Sequence, residues 1–442
     1  MSPARIAASI FLGIALLLAG WWVVYGPWDH DGGAYLLRGA YAADGLRPYL
    51  DYPSIYPPLV DGLTAVAVHL PLGRLAIAIL LPIAWILANC IATAVLVHVI
   101  TKDWIASLIL GGVYALFAIA NGGNHLTLEH AMAFFGLLAF ASASAGRLGL
   151  AAFFAACATL SKQNGILVFV PILAYSTRRD FARMIAAAAV PVAAVVAWIR
   201  DVPAMAKACL SDLITYSRQP AITPQLSTEL MRSPETLILF LIVAMAVVLA
   251  RSRIVVWLAL ACAVLEFLPR LVRNYPHYTI NLWPFLVLIL AIAMPRMRRI
   301  AIPAIAVLAF VLVGYRTRWR SPSPLLATFE PTAQFVARIT PPDGRVRQYG
   351  AEPIIEFLAN RKEDVINKPV AAVFGAKWDG SGMYSTPPDP STTVVLVDRG
   401  QPWMRSVYEN LLARGFVNMA IFGRIAILRN RPTLPARAAA PH

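Results

Sequence analysis

The stretch Pro27–Leu59 reads PWDHDGGAYLLRGAYAADGLRPYLDYPSIYPPL. It follows directly on an apolar run, 6–25, that is long enough to cross a bilayer as a helix. It holds four aspartates (Asp29, Asp31, Asp44 and Asp51), one histidine and five tyrosines. The apolar runs of the first half of the chain are almost bare of charge. A spanning helix that opens into such a segment puts the polar chemistry at a membrane surface, and this sets the fold class.

The composition agrees. Of the 442 residues, 59% are hydrophobic and only 14% charged, against about 25% charged in a soluble protein. Apolar runs recur at 6–25, 75–100, 104–120, 130–146, 148–161, 164–176, 184–200, 234–250, 254–270, 279–294 and 299–315. We therefore expect a polytopic α-helical membrane protein with about eleven transmembrane helices. The runs 148–161 and 164–176 are short and meet at Ser161-Lys162-Gln163, so they read as half-length or tilted helices. The segment 58–70 is too short to span and reads as an interfacial helix carrying Asp61 and His69. The first run lacks a small-residue cleavage site and reads as a retained helix. Cys90, Cys157, Cys209 and Cys262 stand singly, with no metal or redox spacing.

The net charge of +15 does not indicate a nucleic-acid partner, because much of it lies in short loops. With a cytoplasmic N-terminus, Arg5, Lys102, Arg147, Arg178, Arg179, Arg183, Arg251, Arg253, Arg296, Arg298 and Arg299 all fall on the cytoplasmic side. Only Asp103 and Asp180 oppose them there, as the positive-inside rule requires. The long mixed segments then share the other face: 26–74, 121–129, the Ser161-Lys162-Gln163 break, 201–233, 271–278 and the tail from 316. The chain divides into a transmembrane catalytic region, 1–315, whose first outer loop is 26–74, and a small C-terminal extracytoplasmic α/β domain, 316–442. In that tail FEPTAQFVARI and PWMRSVYENLLARG read as helices, and GRVRQYG, TTVVLVD, FVNMAIF and RIAILRN as strands.

Candidate chemistry collects on the outer face. Asp29 and Asp31 sit just past the first helix, where nearby low dielectric suits a carboxylate to general-base work; the plainer reading is solvated loop acids. Their spacing is compatible with a divalent metal, but two carboxylates do not define a site. Asn124, His125, Glu129 and His130 lie at the outer end of the fourth span, Lys162 and Gln163 at the break, and Arg270, Arg273, His277 and Tyr278 between the ninth and tenth spans. A lone Lys162 or Arg270 would read as snorkelling to headgroups. Two basic clusters facing an acidic one suit a phosphate instead. Tyr35, Tyr41, Tyr49, Tyr52 and Tyr56 suit stacking on a sugar, or an interfacial aromatic belt. The chain has no P-loop, no dinucleotide fingerprint, no HExxH and no GxSxG. A substrate used here must arrive activated, and a lipid phosphate supplies that.

The order of these motifs resembles a known family. The acids after the first helix are followed by GLRPYLDYPSIYPPL, TLEHAMAFFGLLAF, ATLSKQNGILVFVPILAY and NYPHYTINLWPFL. In the tail stand PPDGRVRQYGAEPIIEFLANR and GFVNMAIFGRIAILRNR. The chain is similar in this to the GT-C glycosyltransferases that use polyprenyl-phosphate sugars, the class of the protein O-mannosyltransferases and the lipid A aminoarabinose transferase. The resemblance implies a multi-pass protein of the bacterial inner (cytoplasmic) membrane with a periplasmic active site. It would use a polyprenyl-phosphate-linked sugar and a glycolipid, polysaccharide or protein acceptor. It implies an inverting displacement with Asp31 as general base and Asp29 as its reserve. Lys162, Gln163, Arg270, Arg273, His277 and Tyr278 would receive the donor phosphate, and Tyr35, Tyr56, Glu129 and His130 the sugar or acceptor. The family usually carries Asp-Glu where this chain has Asp31-Gly32. A lipid-linked sugar flippase or other transporter, or a non-catalytic scaffold, are the competing readings.

Overall fold

The computed structural model describes residues 2–28, 30–212, 244, 246–250, 253–272, 276–295, 325–349, 352–363, 388, 392–399 and 404–430. Asp29, Arg273, the expected span 299–315 and most of 234–250 lie outside them.

Apolar sequence forms long helices because, away from water, every backbone polar group must bond within its own segment. Helices Pro3–Tyr25 (α1), Arg74–Thr101 (α4), Arg178–Ile199 (its α-helical part, Phe181–Ile199, is α9) and His277–Pro295 (α12) are each long and apolar enough to cross a membrane. Trp104–Ala120 (α5), Leu128–Ser144 (α6) and Leu148–Ser161 (α7) are shorter. Val202–Ala206 (α10) is five residues long and Ile254–Val272 (α11) is 19. The expected short helix 164–176 is present as a shorter segment. It is a 3-10 helix, Gln163–Val168, running into the five-residue helix Phe169–Leu173 (α8). Gly165 permits the break, because a Cβ there would lie 2.3 Å from the Ala158 carbonyl.

The centre of the bundle is α5, α6 and α12. Tyr114, Leu116, Met132, Phe140 and Phe285 are fully buried there. Helix α7 packs with small residues, Ala151, Ala152, Ala155 and Ala158, which let backbones approach. The outer helices turn large apolar side chains outward, such as Leu17, Ile185 and Val190, where lipid would solvate them.

The expected first outer loop is about half helical. His30–Ala43 is a 14-residue helix (α2) and Leu59–Val68 (α3) starts after Pro57-Pro58. Three glycines in α2 act as contact points. A Cβ on Gly32 would lie 2.8 Å from His125, one on Gly33 2.4 Å from the Ile354 amide, and one on Gly39 2.2 Å from Thr64. The tyrosines pack within this segment. Tyr35, Tyr41, Tyr49 and Tyr52 are buried, and Tyr41 and Tyr52 lie with ring centroids 5.6 Å apart. Asp61 is fully buried and accepts from Arg38 Nη2 at 2.8 Å and from the Tyr52 hydroxyl at 3.0 Å. Asp51 accepts from the Arg47 amide at 2.7 Å. Asp44 pairs with Lys362 at 3.2 Å.

The C-terminal region builds a five-stranded sheet. Helix Glu330–Ile339 (α13) precedes Arg345–Tyr349 (β1), helix Ile354–Ala359 (α14) and Lys362–Glu363 (β2). Thr392–Asp398 (β3), helix Met404–Ala413 (α15), Phe416–Phe422 (β4) and Ile425–Asn430 (β5) follow. The strand order is β2-β1-β3-β5-β4, with β1 parallel to β2 and β3 and the other pairs antiparallel. Gly423, with φ +57°, turns the β4–β5 hairpin. Period-two alternation gives the sheet two buried faces. Val395, Val397 and Leu428 meet Met404 and Leu411 on one of them. Val394, Leu396 and Ile427 share a core with Ile354, Phe357, Leu36 and Leu37 on the other. A fully buried side chain of this size contributes about 1.5–3 kcal/mol, so this shared core ties the sheet to α2.

Candidate active site

Helical periodicity sorts the α2 side chains. Asp31, Tyr35 and Arg38 fall at i, i+4 and i+7, on one face. Gly33, Leu37 and Tyr41 fall on another, against the C-terminal region. Asp31 stands in the first turn, where the helix dipole favours a carboxylate, and its side chain keeps 38% of its exposure.

Three other elements bring partners to it. The His277 ring is buried, and its Nε2 lies 3.5 Å from Asp31 Oδ2 and 3.9 Å from Glu129 Oε1. Glu129 is buried in the first turn of α6 and accepts a short hydrogen bond from Lys162 Nζ at its Oε1. Its other oxygen, Oε2, has no hydrogen-bond partner among the described residues. Lys162 sits where α7 ends, and its Nζ lies 4.1 Å from the Tyr278 ring centroid. A continuous polar line thus runs Asp31–His277–Glu129–Lys162–Tyr278. Its parts come from α2, α6, the break after α7 and the start of α12, far apart in sequence.

Two other elements hold this line in place. His125 fills the space beside Gly32, with its ring 6.3 Å from that of His277 and 6.4 Å from that of Trp28. Asn124 Nδ2 donates to the Pro27 carbonyl at 2.6 Å, fixing the chain that leads into Asp31. Burial, then the nearby Asp31 carboxylate, holds the Tyr35 phenol well above its ordinary value, so its hydroxyl stays protonated. The Tyr56 ring meets Tyr35 edge-on at 6.3 Å.

Some expected residues do other work. His130 is fully buried; its Nε2 donates to the Gly123 carbonyl at 2.8 Å. Its Nδ1 therefore accepts from the Tyr114 hydroxyl at 2.7 Å. Both ring nitrogens have partners inside the protein. Gln163 Nε2 donates to the Ile55 carbonyl at 2.6 Å and to that of Cys209 at 3.3 Å. These bonds tie the break after α7 to the outer segment. Arg270 lies near the end of α11, but its side chain is not among the described parts, and Asp29 and Arg273 lie outside them altogether.

Glu266 was not expected from sequence. It is buried in α11 and accepts a short hydrogen bond from Asn164 Nδ2. Its only sequence signal is an acid inside an apolar helix. Among the described residues no group of three or more His, Cys, Asp or Glu side chains is arranged to hold a metal.

The fold is shared with solved structures of two other proteins. It is similar to the crystal structure of ArnT from Cupriavidus metallidurans in the apo state, with a TM-score of 0.65 at 14% identity over 97% of this chain and 99% of that one. ArnT bound to undecaprenyl phosphate matches with a TM-score of 0.66 at 15% identity, over 98% and 99% of the two chains. The oligosaccharyltransferase of Archaeoglobus fulgidus in the apo form matches with a TM-score of 0.51 at 11% identity, over 97% of this chain and 74% of that one. No protein-family model and no curated protein matches the chain.

Proposed function

We propose that this chain is an integral membrane glycosyltransferase that moves a sugar from a polyprenyl-phosphate donor to an acceptor hydroxyl on the extracytoplasmic face. The observation that carries the reading is the line from Asp31 to Lys162, with a part-exposed carboxylate at one end and a buried ammonium at the other. The fold it shares with a structure bound to undecaprenyl phosphate supports the choice of donor. In this reading 316–442 is the extracytoplasmic domain and the N-terminus is cytoplasmic.

The mechanism follows from the two ends. Asp31 takes the proton of the acceptor hydroxyl as that oxygen attacks the anomeric carbon. The bond from the anomeric carbon to the phosphate oxygen breaks, and attack from the opposite side inverts the configuration. The leaving lipid phosphate gains charge, and Lys162 neutralises it, with hydrogen bonds from the Tyr278 hydroxyl and from His277. Arg270 and Arg273 belong to the same proposed phosphate group. Glu129 holds Lys162 with one oxygen and offers the other to a sugar hydroxyl, while Tyr35 and Tyr56 bound the sugar side. A divalent metal has no assigned ligands.

The test is transfer by the reconstituted chain in liposomes loaded with a polyprenyl-phosphate sugar. A new glycosidic bond that is lost with Asp31→Asn supports the reading. Movement of labelled lipid across the bilayer with no new bond would favour the transporter instead.

A further inference from the structure

We infer that a cleft between α2, the start of α4 and the C-terminal domain binds the phosphodiester of an anionic membrane phospholipid, with Arg74 and Lys362 as its cationic ligands.

This cleft is separate from the site around Asp31. Leu37 and Tyr41 line it from the α2 face turned to the C-terminal domain, with Asp44 just past the helix end. Arg74, Phe357, Arg361 and Lys362 close it around a volume of about 130 Å³. A cavity of about 150 Å³ takes benzene, so a phosphodiester fits here and a lipid-linked sugar does not.

The cleft stands at headgroup depth. Arg74 opens α4, a 28-residue apolar helix long enough to span a membrane. Leu70 and Leu72, just before it, are exposed apolar side chains. A cation at such a helix end ordinarily snorkels outward. Here the guanidinium turns back over the protein. Its carbon lies 4.9 Å from the Phe357 ring centroid, and Nη2 donates to Asn360 Oδ1 at 2.7 Å. Nε and Nη1 make no hydrogen bond among the described residues. A guanidinium fork suits two phosphate oxygens.

The charges give the ligand its sign. Arg74, Arg361 and Lys362 share the cleft with the carboxylates of Asp44 and Glu356, three cations against two anions. A phosphodiester neutralises the excess. Arg361 donates to the carbonyls of Ala337, Thr340, Ala359 and Asn360, so it supplies charge rather than contacts. Lys362 holds Asp44 at 3.2 Å in a half-exposed pair. Such a pair is worth little, so the ammonium can be shared with a ligand. The plainer reading is that these charges only hold the domain on α2; it leaves the remaining Arg74 donors without a role.

The test is native mass spectrometry of the full-length chain in detergent, with phosphatidylglycerol and phosphatidylcholine added in equal amounts. Wild type should retain phosphatidylglycerol. Arg74→Gln combined with Lys362→Gln should weaken that retention about tenfold, as expected for lost charge-assisted hydrogen bonds. Arg74→Lys should keep part of it, and Arg405→Gln, at an exposed position on α15, should keep all of it. Phosphatidylglycerol should also slow hydrogen exchange at 354–359 in wild type and not in the double variant. Should the double variant fail to fold, Lys362→Gln alone, at a half-exposed side chain, should still lower retention. Equal retention of the two lipids, retention by the folded variants equal to wild type, an equal fall in undecaprenyl phosphate binding, or the same protection by inorganic phosphate alone overturns the inference.

Discussion

The Nε2 atom of His277 stands 3.5 Å from the carboxylate of Asp31, and the same atom is 3.9 Å from Glu129. A ring buried in the bundle core thus steadies the part-exposed Asp31. His277→Ala should leave folding intact and lower transfer about a hundredfold, the cost of a base misplaced by about an ångström. Initial rates at saturating donor measure it. A variant as active as wild type would remove His277 from the site.

Lys162 and Glu129 form a buried pair. Removing one partner of such a pair costs about 3–5 kcal/mol, because the other charge is left uncompensated, while replacing both is far milder. Lys162→Met should therefore melt well below wild type. Adding Glu129→Gln should restore most of the melting temperature without restoring transfer. Thermal melts in detergent and a transfer assay on the same preparations separate stability from function.

Arg38 and Asp61 tie α2 to α3, and Ser54 joins them by accepting from Arg38 Nη2 at 2.7 Å. Arg38→Met strands the Asp61 carboxylate and should destabilise by about 3–5 kcal/mol. Asp61→Asn keeps a Tyr52 partner and should cost less. Denaturation midpoints rank the two, and the reverse order would contradict the role given to this pair.

Gly32 has no room for a side chain beside His125. Gly32→Glu, which would create an Asp-Glu pair at 31–32, should lower the melting temperature and transfer rather than raise either. Gly33→Ala should loosen the C-terminal domain from α2. Hydrogen exchange at 354–359 should rise, and transfer should fall with it.

Much of this was legible from periodicity. The spans at 104–120 and 148–161 match their helices, and GRVRQYG, TTVVLVD, FVNMAIF and RIAILRN all contain strands. The helicity of 30–43 was not legible, because three glycines at about 1 kcal/mol each speak against a helix. Packing against His125, Ile354 and Thr64 outweighs them, and no local pattern announces those contacts. Glu129 and His130 look equivalent in sequence. One residue is about 100° of helix turn, which points Glu129 into the site and His130 at Tyr114. The Asn164–Glu266 contact joins residues 102 apart, a separation that composition and spacing do not reach.

The central claim is that Asp31 is the general base of a sugar transfer from a lipid phosphate. Its most direct measurement is mass-spectrometric detection of glycosylated acceptor made by wild-type and Asp31→Asn protein, matched for melting temperature and undecaprenyl phosphate binding. We predict that Asp31→Asn forms product about 10²–10⁴ times more slowly with binding unchanged. Product formed at the wild-type rate would contradict the account.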